Sequence, residues 1–579
     1  MDIKNLNFKK YNNDILFIPI GGSNEIGLNC NLYHYNGKWI VIDCGIGFTK
    51  TVPGVDLLVP DISLLRKIRK DILGVFITHI HEDHLGAVQY LWQDLKLPIY
   101  ASRFTKLFLQ EKLKEYEFYN QVEINELNEN DKIKLGDFEI EFLGLTHSTP
   151  EMNAMIIKTP KGNILHSGDW KFDPTPVIGQ KSNIKRLKQL GTKQEILATV
   201  CESTNIFNEN EGKSESELFD SFCNIVKEKT GLVVFTTFAS NVGRIKTIAD
   251  VAKKTRRKVV LVGSSLYRLM KVARDVGYIN EKYEFLSEDD IKNYKKRNLI
   301  LIATGCQGNF NAGVDKLAND AYKHVKLGED DCVIFSSKVI PGNEKELILL
   351  YNKLAEKDVE VITEKNEFVH VSGHYCVQDL KDFYSMVKPK TAIAVHGEPA
   401  QLLQHQKIAK LCGIKNVGKS KNGVILKINT DGKVEKLGQL DLQYMVVDGK
   451  RILSTKSEII KTRRKMEEVG IVFVNLIINT RYKLLKNPVI SAPGGYDLEN
   501  DRTTREILLE DIVKNYNRGI MQINESKQNN KKKFVTDIEK ENFLGQKIRT
   551  VINKMYDVEI GKKPVIEVFF TKIGECDNK

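Results

Sequence analysis

The chain has 579 residues, of which 41% are hydrophobic and 28% charged, and its formal net charge is +12. This length exceeds one compact core and predicts about three domains, while the composition is that of a globular protein. No apolar run approaches the roughly 20 residues that span a bilayer, and the polar N-terminus MDIKNLNFKKYNND lacks the apolar core of a secretory signal. The sequence therefore predicts a cytoplasmic protein without membrane association.

The nine cysteines are scattered and show no CxxC spacing, which argues against both a disulfide framework and a thiolate zinc site. The excess of positive charge favours a polyanionic partner, because phosphate contacts release counterions. Basic runs at residues 253–258 and 461–465 contribute to this excess, although such a run is more often an ordinary solvated surface. Charge therefore supports a nucleic-acid partner without establishing one.

Residues 15–44 contain three strand-like runs, ILFIPI, NCNLYHY and KWIVID, separated by turn signals. Further strands are predicted to end at His79, His147 and Asp169, in the runs GVFITH, FEIEFLGLTH and GNILHSGD. A strand that stops at His or Asp places that side chain at the edge of the sheet, where loops gather ligands. Residues 1–214 therefore predict the first part of a metal-bearing β-sandwich.

From residue 215 onward, short apolar runs such as LVVFTTF, KVVLVG, NLILIATG and CVIFSS alternate with amphipathic stretches such as SNVGRIKTIADVAKK. This alternation predicts βαβ units and a parallel sheet over residues 215–364. Residues 365–440 return to mixed loops and strands and end in a predicted strand pair. The simplest interpretation is one α/β domain inserted into another.

Residues 441–465 are predicted to be a linker, and residues 466–579 a small α/β C-terminal domain. This domain is expected to contain the strand IVFVNLIINT, helices near 502–518 and 535–557, and the strand PVIEVFFTKI. The polar stretch ESKQNNKKK, residues 525–533, predicts a mobile loop.

The strongest local signal is the segment HIHEDH at residues 79–84. Two histidines at i and i+2 of an extended segment point to the same side, and the following turn brings in two more polar side chains. Imidazole nitrogen and carboxylate oxygen suit zinc, which accepts mixed ligands. Because the chain has only 11 histidines, such a cluster is improbable by chance. The segment predicts four metal ligands: His79, His81, Asp83 and His84.

Four ligands are too few for two ions, and three further candidates stand at predicted strand ends: His147, Asp169 and His396. A lone histidine at a strand end is more often a satisfied structural residue. Together with the segment at 79–84, however, these three complete two coordination shells. Asp169 would bridge the two metals, since a carboxylate has two oxygens.

The order and context of these residues resemble the four motifs of the metallo-β-lactamase superfamily, in Asp43, the segment 79–84, His147 and Asp169. Three further positions resemble the additional motifs of the β-CASP group: Glu202 in CESTN, His374 in HVSGH and His396 in VHGEP. Further runs resemble the ribonuclease J family: GGSNEIGLN, TTFASN (236–241), ATGCQGN (303–309), FSSKVIPGNE (335–344) and HVSGH (370–374). The resemblance covers residues 15 to about 415 almost continuously and the C-terminal segment only loosely.

The resemblance implies an αββα metallo-β-lactamase sandwich with an inserted parallel-sheet β-CASP domain and a small C-terminal α/β domain. It also implies two Zn²⁺ per chain, and whether Mn²⁺ or Mg²⁺ can replace zinc stays open. One zinc would be held by His79, His81 and His147, and the other by Asp83, His84 and His396. Asp43 would orient ligand imidazoles from behind.

The same resemblance implies that the chain is a ribonuclease, a 5′-to-3′ exonuclease with endonuclease activity in rRNA processing and mRNA decay. His374, steadied by Glu202, would be the general acid for the departing 3′-oxygen. The implied partner is single-stranded RNA with a 5′-monophosphate, and the implied assembly is a homodimer or homotetramer. A phosphate pocket would lie around Val371 and take its donors from Ser240, His370, Ser372 and the amide of Gly373.

Several positions depart from the family pattern. Glu202 stands where Asp is usual, which keeps the acid but adds one methylene. Cys306 and Asn309 replace a more usual Ser and Glu-Pro arrangement, and Tyr375 follows HVSGH where smaller residues or Pro are common. None of these changes removes a metal ligand.

Three alternatives compete with this interpretation. A small-molecule hydrolase on the same metal core does not explain the insert or the basic balance. A β-CASP DNA nuclease typically carries valine where this chain has His396. A non-catalytic RNA-binding scaffold subunit would be expected to lose ligands, and here every ligand position is filled. Zinc content, measured together with RNA and DNA degradation, separates these possibilities.

Overall fold

The computed structural model describes residues 7–528 and 534–574. The chain forms two compact units: the first extends to Phe48 and resumes over Leu57–Lys450, and the second comprises Thr49–Asp56 and resumes at Arg451. The division at Lys450 falls inside the predicted linker 441–465. The limits predicted at 214/215 and 364/365 lie within the first unit and stay predictions.

The first part of the chain supplies most of the strands of two mixed sheets. Its elements are β1 (Ile15–Gly21), β2 (Cys30–Tyr35), β3 (Lys38–Ile42), β4 (Gly47–Val52), β5 (Val55–Val59), α1 (Ser63–Ile68), β6 (Ile72–Phe76), α2 (Glu82–Leu85), α3 (Val88–Leu95), β7 (Ile99–Ala101), α4 (Arg103–Leu113), β8 (Ile124–Glu126), β9 (Lys132–Leu135), β10 (Phe138–Gly144), β11 (Asn153–Thr159), β12 (Gly162–His166), α5 (Ile184–Thr192) and β13 (Ile196–Cys201).

The insert is an α/β domain with a parallel sheet, as its sequence pattern predicts. Its elements are α6 (Leu218–Glu228), β14 (Val233–Thr236), α7 (Val242–Lys254), β15 (Lys258–Val262), α8 (Ser264–Val276), β16 (Phe285–Leu286), β17 (Leu299–Ala303), α9 (Gly313–Ala318), β18 (Cys332–Phe335), α10 (Glu344–Ala355) and β19 (Glu360–Ile362). The strands lie in the order β16-β15-β17-β14-β18-β19, and every neighbouring pair is parallel. β14, β17 and β18 are buried throughout, which explains their continuous apolar sequence.

The chain then returns to the sandwich through α11 (Val377–Val387), β20 (Thr391–Ala394), α12 (Pro399–Leu411), β21 (Asn416–Gly418), β22 (Val424–Ile428) and β23 (Val434–Gln439). The next strand, β24 (Met445–Asp448), lies outside the two sandwich sheets and pairs antiparallel with β5. One sheet has the order β23-β22-β1-β2-β3-β6-β7-β8 and the other β21-β20-β13-β12-β11-β10-β9. Their inner faces share one core, in which Phe17 and Phe76 meet Phe142 and Val200. Helices α5, α11 and α12 cover the outer face of the second sheet. The predicted sandwich with an inserted α/β domain is therefore confirmed.

The second unit contains β25 (Arg451–Ser454), α13 (Glu458–Val469), β26 (Ile471–Asn479), β27 (Val489–Ser491), α14 (Arg502–Gln528), α15 (Asp537–Glu559) and β28 (Val565–Ile573). β26 pairs in parallel with β28 and antiparallel with β27. α14 continues to Gln528, so the first four residues of the stretch predicted as a mobile loop are helical. The remainder of that stretch, 529–533, lies outside the described residues, as does Cys576.

The basic run at 253–258 is in part structural. Arg257 is buried, and its guanidinium donates to the carbonyl oxygens of Gly231 at 2.7 Å and Leu299 at 3.3 Å. Arg257 thereby links the start of β14 to the start of β17, and its guanidinium is not available to bind a nucleic acid. Across residues 7–528 and 534–574, no helix combines the length and apolar character needed to cross a membrane.

Candidate metal centre

The candidate ligands lie in loops at one edge of the sandwich. β6, β10 and β12 each end three residues before His79, His147 and Asp169, so the strands stop earlier than the sequence predicts. The chain turns sharply at this edge: Asp43 and His396 adopt left-handed backbone conformations, with φ of 65° and 49°. Such conformations are costly for residues other than glycine and persist where the surrounding structure imposes them. The turns direct the side chains across the edge towards one another.

The structure brings the first predicted ligand group together. His79, His81, His147 and Asp169 offer donor atoms that all lie within 4.8 Å of one another. His81 Nδ1 is 3.0 Å from His79 Nε2 and 3.1 Å from His147 Nε2. Ligand atoms around a tetrahedral zinc with bonds of about 2.0–2.1 Å are separated by about 3.3 Å. The two separations from His81 Nδ1 therefore match the spacing of ligand atoms in a zinc coordination shell.

The second predicted group is also assembled, in Asp83, His84, Asp169 and His396. His84 Nε2 lies 3.2 Å from Asp169 Oδ2, and His396 Nε2 lies 3.2 Å from Asp83 Oδ2. Asp169 belongs to both groups, which places one carboxylate between them as the sequence analysis expects of a bridging ligand.

His396 supplies an independent test of whether a cation fits. Its Nδ1 donates to Asp169 Oδ1 at 2.9 Å, while its buried Nε2 lies near Asp83 Oδ2 but makes no hydrogen bond of good geometry within the part of the chain that the structure describes. Burial lowers the pKa of His396, but Asp169 and then Asp83 outweigh this effect and raise it to about 10. The two carboxylates, of which Asp169 is buried and Asp83 is partly exposed, thus favour positive charge beside them, and a divalent cation bound by His396 Nε2 would provide it.

Hydrogen bonds behind the ligands fix their orientation. His84 Nδ1 donates to Asp43 Oδ2 at 2.7 Å, which is where the resemblance places Asp43. Thr78, which the sequence analysis did not identify, donates from its amide to Asp43 Oδ1 at 2.8 Å, and its hydroxyl lies 2.9 Å from His79 Nδ1. His147 Nδ1 donates to the Gly373 carbonyl at 2.6 Å. These bonds occupy Nδ1 of each ring, so Nε2 is the nitrogen that would bind a metal. In His84 this Nε2 also lies 3.1 Å from Asn29 Nδ2. The position of Thr78 directly before His79 is the only sequence signal for its role.

The predicted acid pair stands beside the metal groups. His374 Nδ1 donates to Glu202 Oε2 at 2.8 Å, and both residues form a third close cluster with Asp169. Burial lowers the pKa of His374, but the Glu202 carboxylate outweighs it and raises the pKa above its ordinary value. The other oxygen of Glu202 accepts from the amide of Trp170 at 2.8 Å. Glu202 is therefore fixed at both carboxylate oxygens.

The HVSGH segment, which is predicted to bind phosphate, is held by a buried arginine. Arg244 in α7 has no exposed surface, and it donates to the Val371 carbonyl at 3.3 Å and the Ser336 carbonyl at 2.9 Å. Its guanidinium also forms a two-pronged ion pair with Glu215. Ser240 lies two residues before α7 begins at Val242. The N-terminal end of this helix therefore positions Ser240 and, through Arg244, also holds the HVSGH segment. Arg244 was not predicted, because nothing in its local sequence distinguishes it from a surface arginine.

His370 and Ser372 lie on this segment and are partly exposed, whereas the Val371 side chain is buried. The His370 Nδ1 is buried and unpaired among the described residues. Burial and then the nearby Arg244 hold the pKa of His370 well below its ordinary value. Ser372 Oγ accepts from the His374 amide at 3.1 Å, which leaves its hydroxyl proton free to donate. The segment therefore presents polar groups that a phosphate could bind.

We expect Arg244→Ala to lower the free energy of unfolding by about 3–5 kcal/mol, because it leaves the Glu215 carboxylate buried without its partner. Urea unfolding of the purified variant measures this change. The double variant Arg244→Met/Glu215→Met should recover part of the loss, since neither charge then remains. A single variant as stable as the natural chain would contradict the anchoring role.

Comparison with known families places three sequence models along the first unit. The metallo-β-lactamase superfamily matches residues 25–181, the ribonuclease J β-CASP domain matches 230–354, and the RNA specificity domain of Zn-dependent metallo-hydrolases matches 358–418. These matches, together with the sandwich, its insert and the clustered His and Asp side chains, define a metal-binding hydrolase of the β-CASP class that acts as an RNA nuclease.

Whole-chain relatives narrow the class further. The chain is 36% identical to a ribonuclease J of Sinorhizobium meliloti over 97% of its own length and 98% of that protein. It is 31% identical to a ribonuclease J of Helicobacter pylori, covering 89% of this chain and 76% of that one, and 30% identical to the ribonuclease J2 of Bacillus subtilis, covering 84% and 88%. The chain belongs to the ribonuclease J family. A crystal structure of a protein of unknown function from Enterococcus faecalis shares the fold, with a TM-score of 0.53 at 18% identity over 72% of this chain and all of that one.

Proposed function

We propose that this chain is a two-zinc ribonuclease that degrades single-stranded RNA from a 5′-monophosphate end and also cleaves internally, in rRNA processing and mRNA decay in the cytoplasm. The observation that carries the proposal is the position of Asp169, which belongs to both ligand groups and to the cluster with Glu202 and His374. Two metals with an acid pair beside them can supply both the charge stabilisation and the proton that phosphodiester hydrolysis uses. We also propose a homodimer or homotetramer, on the family resemblance alone.

His79, His81 and His147 would hold one zinc, Asp83, His84 and His396 the other, and Asp169 would bridge them. When bound, two such ions activate water and neutralise the charge that develops on the scissile phosphate. Asp43 and Thr78 keep the imidazoles of His84 and His79 in the tautomer that can bind a metal.

The departing 3′-oxygen needs a proton, and His374 is placed to give it. Because Nδ1 of His374 already donates to Glu202, Nε2 is the nitrogen that remains free to deliver a proton. The Glu202 carboxylate favours the protonated imidazole and therefore keeps the acid charged before the reaction. Cleavage in this manner leaves a 3′-hydroxyl on one product and a 5′-phosphate on the other.

The 5′-monophosphate of the RNA would bind to Ser240, His370, Ser372 and the amide of Gly373, alongside Val371. The unpaired, buried Nδ1 of His370 supports this assignment, since buried polar atoms ordinarily have partners. A terminal phosphate held here would limit each cut to a fixed distance from the 5′ end, which is the requirement for exonucleolytic release of short products.

We expect His370→Ala to lower the exonuclease rate on 5′-monophosphorylated RNA roughly 10- to 100-fold, the equivalent of one hydrogen bond to a charged group. Cleavage of the same RNA with a 5′-hydroxyl should change little, because that substrate never fills the pocket. Single-turnover assays on both RNAs measure the difference. Equal rates on the two RNAs with the unaltered protein would remove the pocket from the proposal.

The proposal as a whole is tested with a long 5′-monophosphorylated RNA labelled at each end in turn, together with metal analysis of the protein. We expect about two zinc ions per chain and short labelled products from the 5′ end before any shortening from the 3′ end. Degradation of single-stranded DNA at the same rate would favour the DNA nuclease, and RNA binding without cleavage would favour the scaffold subunit.

A further inference from the structure

Tyr375 directly follows His374 and contacts the same partner. Its side chain is fully buried, and its hydroxyl donates to the main-chain carbonyl of Glu202 at 2.6 Å. Two consecutive residues therefore hold Glu202 at opposite ends: His374 binds its carboxylate, and Tyr375 binds its backbone. The Tyr375 carbonyl in turn accepts from Asn205 Nδ2 at 3.0 Å, which ties the segment after Glu202 to the segment after His374.

A buried histidine from α12 supports this arrangement from behind. His405 Nδ1 lies 2.9 Å from Ser203 Oγ and 3.4 Å from the Tyr375 hydroxyl, and its Nε2 lies 2.5 Å from the Tyr384 hydroxyl. Burial lowers the pKa of His405 to about 3, so the imidazole is neutral. The Tyr375 hydroxyl thus lies within an uncharged, enclosed network, where its bond to the Glu202 carbonyl does not compete with water.

Glu202 depends on such anchoring because of its length. A glutamate has one more rotatable bond than an aspartate, so its carboxylate can occupy more positions unless it is restrained. The backbone of Glu202 is also restrained at its amide, which donates to Ser167 Oγ at 3.3 Å. With the backbone held by Ser167 and Tyr375 and one carboxylate oxygen held by Trp170, the other oxygen is left pointing at His374.

We propose that Tyr375 is a positioning residue: its hydroxyl fixes the Glu202 backbone so that the carboxylate holds His374 in the orientation needed to protonate the leaving group. This inference rests on the proposed role of His374 as general acid.

The test compares Tyr375→Phe with the natural chain on two RNAs that differ in one atom. One RNA has ordinary phosphodiester bonds, and the other carries a sulfur in place of the bridging 3′-oxygen at the cleaved bond. A thiol ionises with a pKa of about 8.5, so its anion leaves without a general acid. We expect kcat on the ordinary RNA to fall about tenfold, as for one lost hydrogen bond, with KM and zinc content unchanged. The loss on the sulfur-bridged RNA should be less than about twofold.

Tyr516→Phe is a matched control. Tyr516 is also fully buried, and its hydroxyl donates to the Tyr482 carbonyl at 2.8 Å, but it lies in the C-terminal unit. This variant should cleave both RNAs like the natural chain. Adding Tyr375→Phe to His374→Ala should cause no further loss on the ordinary RNA, because the residue acts through His374.

Equal losses on the two RNAs, or a further tenfold loss in the His374→Ala background, would overturn the inference and leave the proposed acid intact. Unchanged turnover in His374→Ala alone would instead overturn the proposed acid, and the inference would fall with it. The two failures are therefore distinguishable from the same set of proteins.

Discussion

Asp169→Asn is expected to abolish binding at both metal positions and to lower RNA turnover about 10⁴-fold. The asparagine amide is neutral and presents a donor at one of its two ends, so it cannot bridge two cations. Asp169 Oδ2 lies 3.2 Å from His84 Nε2 in one ligand group and 4.0 Å from His79 Nε2 in the other. Without the metals the transition state loses several kcal/mol of charge stabilisation. Because about 1.4 kcal/mol corresponds to a factor of ten in rate, this loss corresponds to a fall of about 10⁴-fold in RNA turnover.

Metal content measured by atomic emission and single-turnover cleavage of RNA test this expectation together. Asp331→Asn is a suitable control, because Asp331 is also buried and accepts from the Leu232 amide at 2.8 Å but belongs to none of the metal groups. The control should lose stability and keep its zinc. An Asp169→Asn protein that retains two zinc ions and normal turnover would show that this carboxylate does not bridge the metals.

The fold was predictable wherever the pattern of apolar residues is local. The strands of the insert are short apolar runs buried on both faces, and amphipathic helices separate them, so the sequence pattern predicts both the strands and their parallel pairing.

The linker predicted at 441–465 is a different case: α13 begins at Glu458 inside it and continues to Val469. Ser457 caps that helix by accepting from the Ile460 amide at 3.5 Å. The highly charged sequence of α13 leaves few apolar positions to reveal it.

The metal groups were predictable in part for the same reason. His79, His81, Asp83 and His84 are neighbours in the chain, so their convergence is a local property of one segment. Contacts that depend on distant segments gave no such signal. Thr78 reaches a carboxylate 35 residues away, Arg244 a carbonyl 127 residues away, and Tyr375 a carbonyl 173 residues away. Only the packing of the two sheets and the insert brings these pairs together.

His374→Ala is expected to lower RNA turnover about 10²- to 10⁴-fold, the usual contribution of a general acid, without loss of zinc. The His374 ring lies beside the first ligand group, 5.0 Å from the ring of His147, but its Nδ1 is committed to Glu202. Its removal should therefore leave the metals bound and the departing oxygen without a proton donor. Metal analysis and turnover of the ordinary RNA measure both effects.

The sulfur-bridged RNA separates acid catalysis from mere disturbance of the metals, because its leaving group needs no proton. We expect the His374→Ala protein to cleave this RNA within a few-fold of the natural chain. His324→Ala is the control: the side chain of His324 has the same 24% exposure as that of His374 but lies in the insert beside Asp289. Full loss on both RNAs with zinc retained would mean that His374 binds the substrate instead of protonating it, and Glu202 would then orient a phosphate contact.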